Sequence, residues 1–160
     1  MSFGSAIDIA TDEDFLMFIV WAPETTDNNT YLSDGDNDLI QLNSNSVHII
    51  KTSGTTNTIN HSSTFTINAG EKSIFMIHRT NGSTGTIKLY KNGLVHDPSV
   101  TDADSITLTH LGSQAGTGNW YDGKIYDLGI ITGSRATNEV RDKITGFLCG
   151  KHGVERLGHY

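Results

Sequence analysis

Cysteine, proline and charge are scarce in this 160-residue sequence, and each scarcity excludes a class of protein. The one cysteine, Cys149, cannot form an internal disulfide, so the fold does not depend on an oxidising compartment. Two prolines are too few for a proline-rich disordered linker. Charged residues make up only 18% of the chain and the net charge is −7, which argues against nucleic-acid binding because an acidic surface repels phosphate.

A membrane span and a targeting segment are also missing. The most apolar stretch, Phe15 to Ala22, is too short to cross a bilayer. Residues 1–14 carry no basic region of the kind that begins a signal peptide. We therefore expect a protein that is made in a host cytoplasm, has no signal peptide and has no membrane partner.

In place of charge the sequence is rich in Thr, Ser and Asn, and it has 17 Gly. Thr favours strands, whereas Gly and Asn favour turns. The length suits one domain with its own core. The pattern predicts about nine to twelve short strands, with turn signals between them, over roughly residues 1–133 of a single domain 1–160. Residues 24–37 are polar and read as turns, and 53–63 as an edge strand or loop.

Three strand segments carry the clearest signals. Phe15–Ala22 is apolar at every position, which predicts a strand covered on both faces. Asn92-Gly93 lies between two strand-like runs and favours a type I′ hairpin, because both residues tolerate positive φ. Further strands are predicted at 64–68 and at 119–131.

Only the C-terminal part, about residues 135–150, is predicted to be helical. Val140, Ile144, Phe147 and Leu148 fall on a single apolar stripe at helical spacing. Thr137 is the expected N-cap. Gly150 or Gly153 is the expected end of the helix.

Three stretches resemble one known family. Tyr121–Ile131, followed by the helix and residues 146–154, resembles the closing strand and helix of concanavalin A-like lectin/glucanase (laminin-G-like) domains. Ile87–Val95 is similar to the family's Asn-Gly hairpin, and Phe15–Pro23 to its first buried strand. The resemblance implies an all-β jelly-roll sandwich of two antiparallel sheets with one C-terminal amphipathic helix. Compact versions of this kind resemble domains of bacteriophage virion proteins.

The chemistry known for this fold is not predicted here. Glycoside hydrolysis needs a pair of carboxylates, which the glucanase branch places as Glu-x-Asp-x-x-Glu. No Glu-x-Asp occurs in this sequence. We therefore predict that the protein is not an enzyme and has no catalytic residues of that type.

Two segments are candidate binding sites. Asn119, Trp120, Tyr121 and Asp122 follow a glycine-rich loop, and aromatic rings beside amides suit glycan binding. The alternative is that Trp120 or Tyr121 is a core residue at the start of a strand.

The second segment is Asp34-Gly-Asp36-Asn-Asp38, which resembles the beginning of a calcium loop because alternate carboxylates suit a hard cation. It lacks the closing Glu of an EF-hand, and the alternative is an acidic turn. No cofactor other than Ca²⁺ is expected.

These observations leave two functions open. The first is a structural protein on the virion surface, a capsid decoration or cement protein or a small fibre domain, whose partners are other virion proteins or its own copies. The alternative is a carbohydrate-binding, lectin-like module that recognises receptor or surface glycans.

Overall fold

The structure, a computed structural model, describes residues 2–27, 29–34, 38–44, 47–53, 55–60, 65–80, 82–113 and 120–157. These residues form eleven strands and one α-helix, so the predicted number of strands is confirmed. The elements are β1 (Ser2–Ile9), β2 (Phe15–Pro23), β3 (Asn29–Asp34), β4 (Asp38–Ser44), β5 (Val47–Thr52), β6 (Thr55–Asn60), β7 (Ser73–Thr80), β8 (Thr86–Lys91), β9 (Leu94–Thr101), β10 (Ile106–Leu111), β11 (Gly123–Thr132) and α1 (Asn138–His152).

The strands form two antiparallel sheets, and with the single C-terminal helix they make the predicted jelly-roll sandwich. One sheet has the order β1-β10-β3-β4-β5-β6 and the other β11-β2-β7-β8-β9. The chain divides into two compact units, each built from separate stretches of sequence. The first unit comprises Met1–Thr11, Pro23–Gly70 and Asp104–Gly123, and the second comprises Asp12–Ala22, Glu71–Ala103 and Lys124–Tyr160.

In the first unit, the main difference from the sequence prediction is β3. Its polar sequence, Asn-Thr-Tyr-Leu-Ser-Asp, favours turns, and residues 24–37 were expected to form no strand. Pairing with β4 on one side and β10 on the other makes it a strand, since two neighbours satisfy its backbone. Within the segment 53–63, Thr55–Asn60 form β6, which lies at the edge of the sheet as predicted.

In the second unit, β2 is an inner strand that pairs with β7 along its length. Phe15 and Trp21 on one face are completely buried. Leu16 and Val20 on the other face pack in a cluster with Leu148 of α1. The prediction that this apolar strand is covered on both faces is confirmed.

The Asn92-Gly93 hairpin between β8 and β9 is also confirmed. Both residues have positive φ, 52° at Asn92 and 90° at Gly93, as a type I′ turn requires. The side-chain Oδ1 of Asn92 accepts a hydrogen bond from the Ile74 amide at 2.8 Å. The hairpin is therefore fixed by its own conformation and by a bond to β7.

The helix begins and ends where the sequence predicts, and its buried face differs from the prediction at one residue. Thr137 caps the N-terminus by accepting from the Val140 amide at 3.2 Å, and Gly153 ends the helix with φ 65°. The predicted stripe is wrong at Phe147, whose side chain is 66% exposed. The rest of the predicted stripe is confirmed, because Leu148 is buried and Val140 and Ile144 are partly buried against the same core cluster. The buried helix residues are Arg141, Thr145, Leu148 and Cys149.

Two of the buried helix residues, Arg141 and Thr145, are polar, and both are hydrogen-bonded. Arg141 donates from Nη1 to the Tyr90 hydroxyl at 2.7 Å, and Thr145 donates from Oγ1 to the Arg141 carbonyl at 2.9 Å. Because buried polar groups cost little once they are hydrogen-bonded, Arg141 and Thr145 can face the sheet.

Two strand predictions are wrong: one predicted strand is absent from the described residues, and another begins later than predicted. Residues 65–68, the described part of the predicted strand 64–68, form no strand although Phe65 and Ile67 are buried. The chain turns directly afterwards, where Gly70 has φ 74° and its amide donates to the Pro23 carbonyl. The last strand begins at Gly123, so residues 120–122 precede it. Within the described residues, no helix is both long and apolar enough to cross a membrane.

Candidate functional site

Of the Phe, Tyr and Trp residues in the first unit whose burial the structure describes, Trp120 is the most exposed. Its side chain is 58% exposed, although an indole ring of this size normally gains free energy by leaving water. Trp120 lies in the segment 120–122 that leads into β11. The alternative that Trp120 is a core residue is therefore excluded, and the neighbouring Tyr121 is half-buried.

The backbone beside Trp120 is tied down at two points. The Tyr121 amide donates to the Gly112 carbonyl at 3.0 Å, just after the end of β10. The Glu24 amide donates to the Asp122 carbonyl at 2.8 Å, just after the end of β2. An aromatic ring on an anchored backbone loses less entropy when a ligand binds than one on a free loop.

The position that receives Tyr121 requires glycine. Gly112 has φ 77°, a left-handed conformation that other residues adopt only with strain. A Cβ at this position would lie 3.8 Å from the Cβ of Tyr121. The next residue, Ser113, is held by the buried Ser33, whose Oγ donates to the Ser113 carbonyl at 2.6 Å. The beginning of the glycine-rich loop is thus attached to β3.

Two acidic residues lie in or beside the segment that carries Trp120. Asp122 and Glu24 are both exposed, and the hydrogen bond between their backbones places them side by side. Residues 112–121 contain no charged residue, so the loop itself does not offset these carboxylates. Of the four predicted binding residues, Trp120 and Asp122 are exposed and Tyr121 is half-buried. Asn119 lies outside the described residues.

Glu24 is the residue that the sequence does not reveal. It is separated from Asp122 by most of the chain, and its only local signal is that it follows Pro23 at the end of β2. The contact depends on backbone pairing between two loops, which no sequence pattern indicates.

Two of the three predicted calcium ligands, Asp34 and Asp38, have hydrogen-bond partners within the protein. Asp34 and Asp38 are opposite each other at the end of the β3–β4 hairpin. Asp38 is buried, and its carboxylate accepts from the Ser53 amide and, at 2.8 Å, from the Thr107 amide.

Asp34 accepts from the Thr109 hydroxyl at 2.7 Å. Asp36 lies outside the described residues. Among the residues that the structure describes, no three or more His, Cys, Asp or Glu side chains are grouped to hold a metal ion. Calcium binding by Asp34, Asp36 and Asp38 therefore stays a prediction.

In the second unit, a charged cluster joins β11 to the end of α1. Lys151 donates to Asp127 at 2.8 Å, and the His152 ring is hydrogen-bonded to the same carboxylate. These two hydrogen bonds, that of Lys151 first, hold the pKa of Asp127 below its usual value. Tyr126 stands beside the cluster, with Lys72 Nζ 4.7 Å from its ring centre. These contacts hold the C-terminal end of α1 against β11, so we assign the cluster a structural role.

Comparison with known proteins places the fold. No family model matches the sequence, and no curated protein matches it. Several solved structures do match. A native heptameric SAP-like pentraxin from Limulus polyphemus has a TM-score of 0.58 at 12% identity over 81% of this chain. The CBM40 module of the Ruminococcus gnavus IT-sialidase, bound to α2,3-sialyllactose, has a TM-score of 0.57 at 8% identity over 92%.

A third structure concerns botulinum neurotoxin type C, whose cell entry is dependent upon interaction with two ganglioside molecules. Its TM-score is 0.55 at 15% identity over 85% of this chain. The chain spans 36% of the toxin structure and 67% of the pentraxin, but 95% of the sialidase module. At these identities the likeness shows the fold, a jelly-roll sandwich.

Proposed function

We propose that this protein is a non-enzymatic, lectin-like module that binds a glycan against Trp120. The observation that carries the proposal is that Trp120 is 58% exposed on a backbone anchored to Gly112 and Glu24. An exposed indole on a fixed support offers a flat apolar surface to which a ligand can bind without first ordering the backbone.

The ring offers the apolar half of a sugar site. The CH face of a pyranose can lie flat on an indole, and burial of that area contributes roughly 25 cal/mol per Å². Polar groups at the edge of the ring then fix the sugar hydroxyls. Asp122 and Glu24 supply carboxylate acceptors there, and the Asn119 amide is expected to add to them.

The charge of the surface indicates a neutral glycan. An acidic sugar would bring a carboxylate towards Asp122 and Glu24 on a chain of net charge −7. Repulsion between two such charges at about 4 Å costs roughly 1 to 4 kcal/mol, depending on exposure. A neutral sugar meets no such cost, and its hydroxyls donate to both carboxylates.

The comparisons support carbohydrate binding as the function but not the same ligand. The sialidase module was solved with α2,3-sialyllactose, and the toxin interacts with gangliosides. Both therefore support the lectin-like alternative from the sequence more than a virion role. The two acidic residues Asp122 and Glu24 are the reason that we expect a different sugar here.

A glycan array followed by titration tests the proposal. We expect binding of at least one neutral glycan with a Kd in the micromolar to millimolar range, which corresponds to about 4 to 8 kcal/mol. For a matched pair with and without a terminal sialic acid, the neutral member should bind more tightly, and added salt should narrow the difference. No binding of any glycan at millimolar concentration would contradict the proposed function.

The location of this protein and its protein partners are a separate proposal. The sequence resemblance to phage virion domains supports a role on a virion surface, with other virion proteins or further copies of this chain as partners. The pentraxin of the same fold is heptameric, which supports self-association. Co-purification with particles tests the first idea, and the mass of the purified protein in solution tests the second.

A further inference from the structure

The second unit contains an open cleft that the proposed glycan site does not use. It lies where the end of β11, the 3₁₀ turn Gly133–Arg135 and the first turn of α1 meet, and its volume is about 490 Å³. Small-molecule sites commonly have volumes of roughly 300 to 1,000 Å³. The cleft is therefore large enough to hold a ligand.

The walls of the cleft are held from the buried side. The Gly133 amide donates to the Asp14 carbonyl at 2.8 Å, and the Ala136 amide donates to the Gly133 carbonyl at 2.9 Å. The buried His78 donates from Nε2 to the Ala136 carbonyl at 2.8 Å. Because the turn is fixed at these points, the cleft is preformed and binding need not order it.

The lining combines an apolar floor with one cation. Ile130, Ile131 and Val140 are half-buried and form the apolar part. Arg135 is exposed, and among the described residues that line the cleft it is the one that carries a charge. Within the part of the chain that the structure describes, its guanidinium forms no ion pair or side-chain hydrogen bond.

A carboxylate does approach this turn, but it leaves Arg135 available. The Glu13 Oε1 would lie 3.6 Å from a Cβ placed on Gly133, yet Glu13 forms no ion pair with Arg135. Ser134, beside Arg135, adds a hydroxyl to the lining. An apolar cleft with one available cation and three hydroxyls, those of Thr132, Ser134 and Thr137, matches a ligand that has an alkyl chain and an anionic head.

We propose that this cleft binds a free medium-chain carboxylate. The alkyl chain lies along Ile130, Ile131 and Val140, and the carboxylate is paired with the Arg135 guanidinium. Arginine suits this role because its planar group donates two parallel hydrogen bonds to a carboxylate. Trp120 does not line this cleft, so carboxylate binding can be tested independently of glycan binding.

Titration of octanoate and of 1-octanol into the full chain, followed by NMR of the isoleucine methyl groups, tests this proposal. We expect octanoate to shift the methyl signals of Ile130 and Ile131 and to bind about tenfold more tightly than octanol, since a charge-assisted bond is worth about that factor. Arg135→Gln should remove the preference for octanoate. Lys143→Gln is the matched control, because Lys143 is an exposed cation on α1 that does not line the cleft, and it should bind octanoate like the parent.

A second variant tests the alkyl part without touching the charge. Val140→Trp should fill the cleft and weaken octanoate and octanol alike, whereas Trp120→Ala should bind both normally. The proposal is overturned if octanoate leaves the isoleucine signals unchanged at millimolar concentration. It is equally overturned if Arg135→Gln keeps the preference for octanoate, or if Val140→Trp, shown to be folded by its spectrum, binds as well as the parent.

Discussion

The backbone amide of Glu24 donates a hydrogen bond to the carbonyl oxygen of Asp122 at 2.8 Å. This bond joins the chain leaving β2 to the segment that displays Trp120, and it brings together the backbones of two exposed acidic residues. A contact between residues far apart in sequence therefore anchors the backbone of the proposed glycan site and adds the acidic residue Glu24 to it.

The glycine at the start of the Trp120 loop should be required for stability. Gly112→Ala forces a Cβ into a φ of 77°, and we expect the free energy of unfolding in urea to fall by about 1 to 2 kcal/mol. Gly150→Ala is the opposite control, because Gly150 lies inside α1 with open space around it. It should stabilise the protein by up to about 1 kcal/mol. Equal effects of the two variants would contradict this account of Gly112.

The hairpin residue Asn92 should be replaceable by Asp but not by Ala. Asn92→Ala removes the acceptor for the buried Ile74 amide and puts Ala at a φ of 52°. We expect a loss of about 2 to 3 kcal/mol, measured by urea unfolding. Asn92→Asp keeps an acceptor and tolerates positive φ, so it should lose clearly less. If both variants unfold at the same urea concentration, the side-chain bond contributes little.

His78 should make the protein less stable in mild acid. Burial lowers the pKa of His78 below 6.5, and the hydrogen bond to the Ala136 carbonyl offsets this only in part. The unfolded state therefore takes up a proton below pH 6.5 that the folded state resists, so stability falls as the pH falls from that value. The slope from this residue is at most about 1.4 kcal/mol per pH unit.

The comparison of unfolding at pH 7.5 and pH 5 measures this effect. His78→Gln keeps a donor for Ala136 but does not titrate, so its stability should vary less between the two pH values than that of the parent. An unchanged pH dependence in His78→Gln would show that other groups cause the loss.

Calcium binding by Asp34, Asp36 and Asp38 can be tested by thermal unfolding. If these carboxylates hold calcium, the melting temperature should rise with added calcium and fall with chelator, and Asp36→Asn should abolish the difference. Asp36 is the residue to change because Asp38 supports the Ser53 and Thr107 amides. The same melting temperature with calcium and with chelator would remove the prediction.

Features with a local cause could be predicted from the sequence. Thr137 and Gly153 mark the helix ends, and Asn92-Gly93 marks the hairpin, because each residue's own chemistry selects the conformation. Trp120 could be proposed as a binding residue from its neighbours in sequence. Its exposure, however, was known only from the structure.

Features with a distant cause could not be predicted. The polar strand β3 exists because β4 and β10 satisfy its backbone. Arg141 lies on the buried side of α1 because the Tyr90 hydroxyl, far away in sequence, accepts a hydrogen bond from it. Glu24 joins the candidate site only through the backbone of Asp122.

The most direct test of the account is to measure glycan binding by Trp120→Ala and by Phe147→Ala. The two side chains are comparably exposed, at 58% and 66%, but only Trp120 lies in the proposed site. For the best neutral glycan from the array, titration calorimetry should show at least about a tenfold loss of affinity in Trp120→Ala, or about 1.4 kcal/mol. Phe147→Ala should bind like the parent. Parent-like affinity in Trp120→Ala, or an equal loss in both variants, would contradict the central claim.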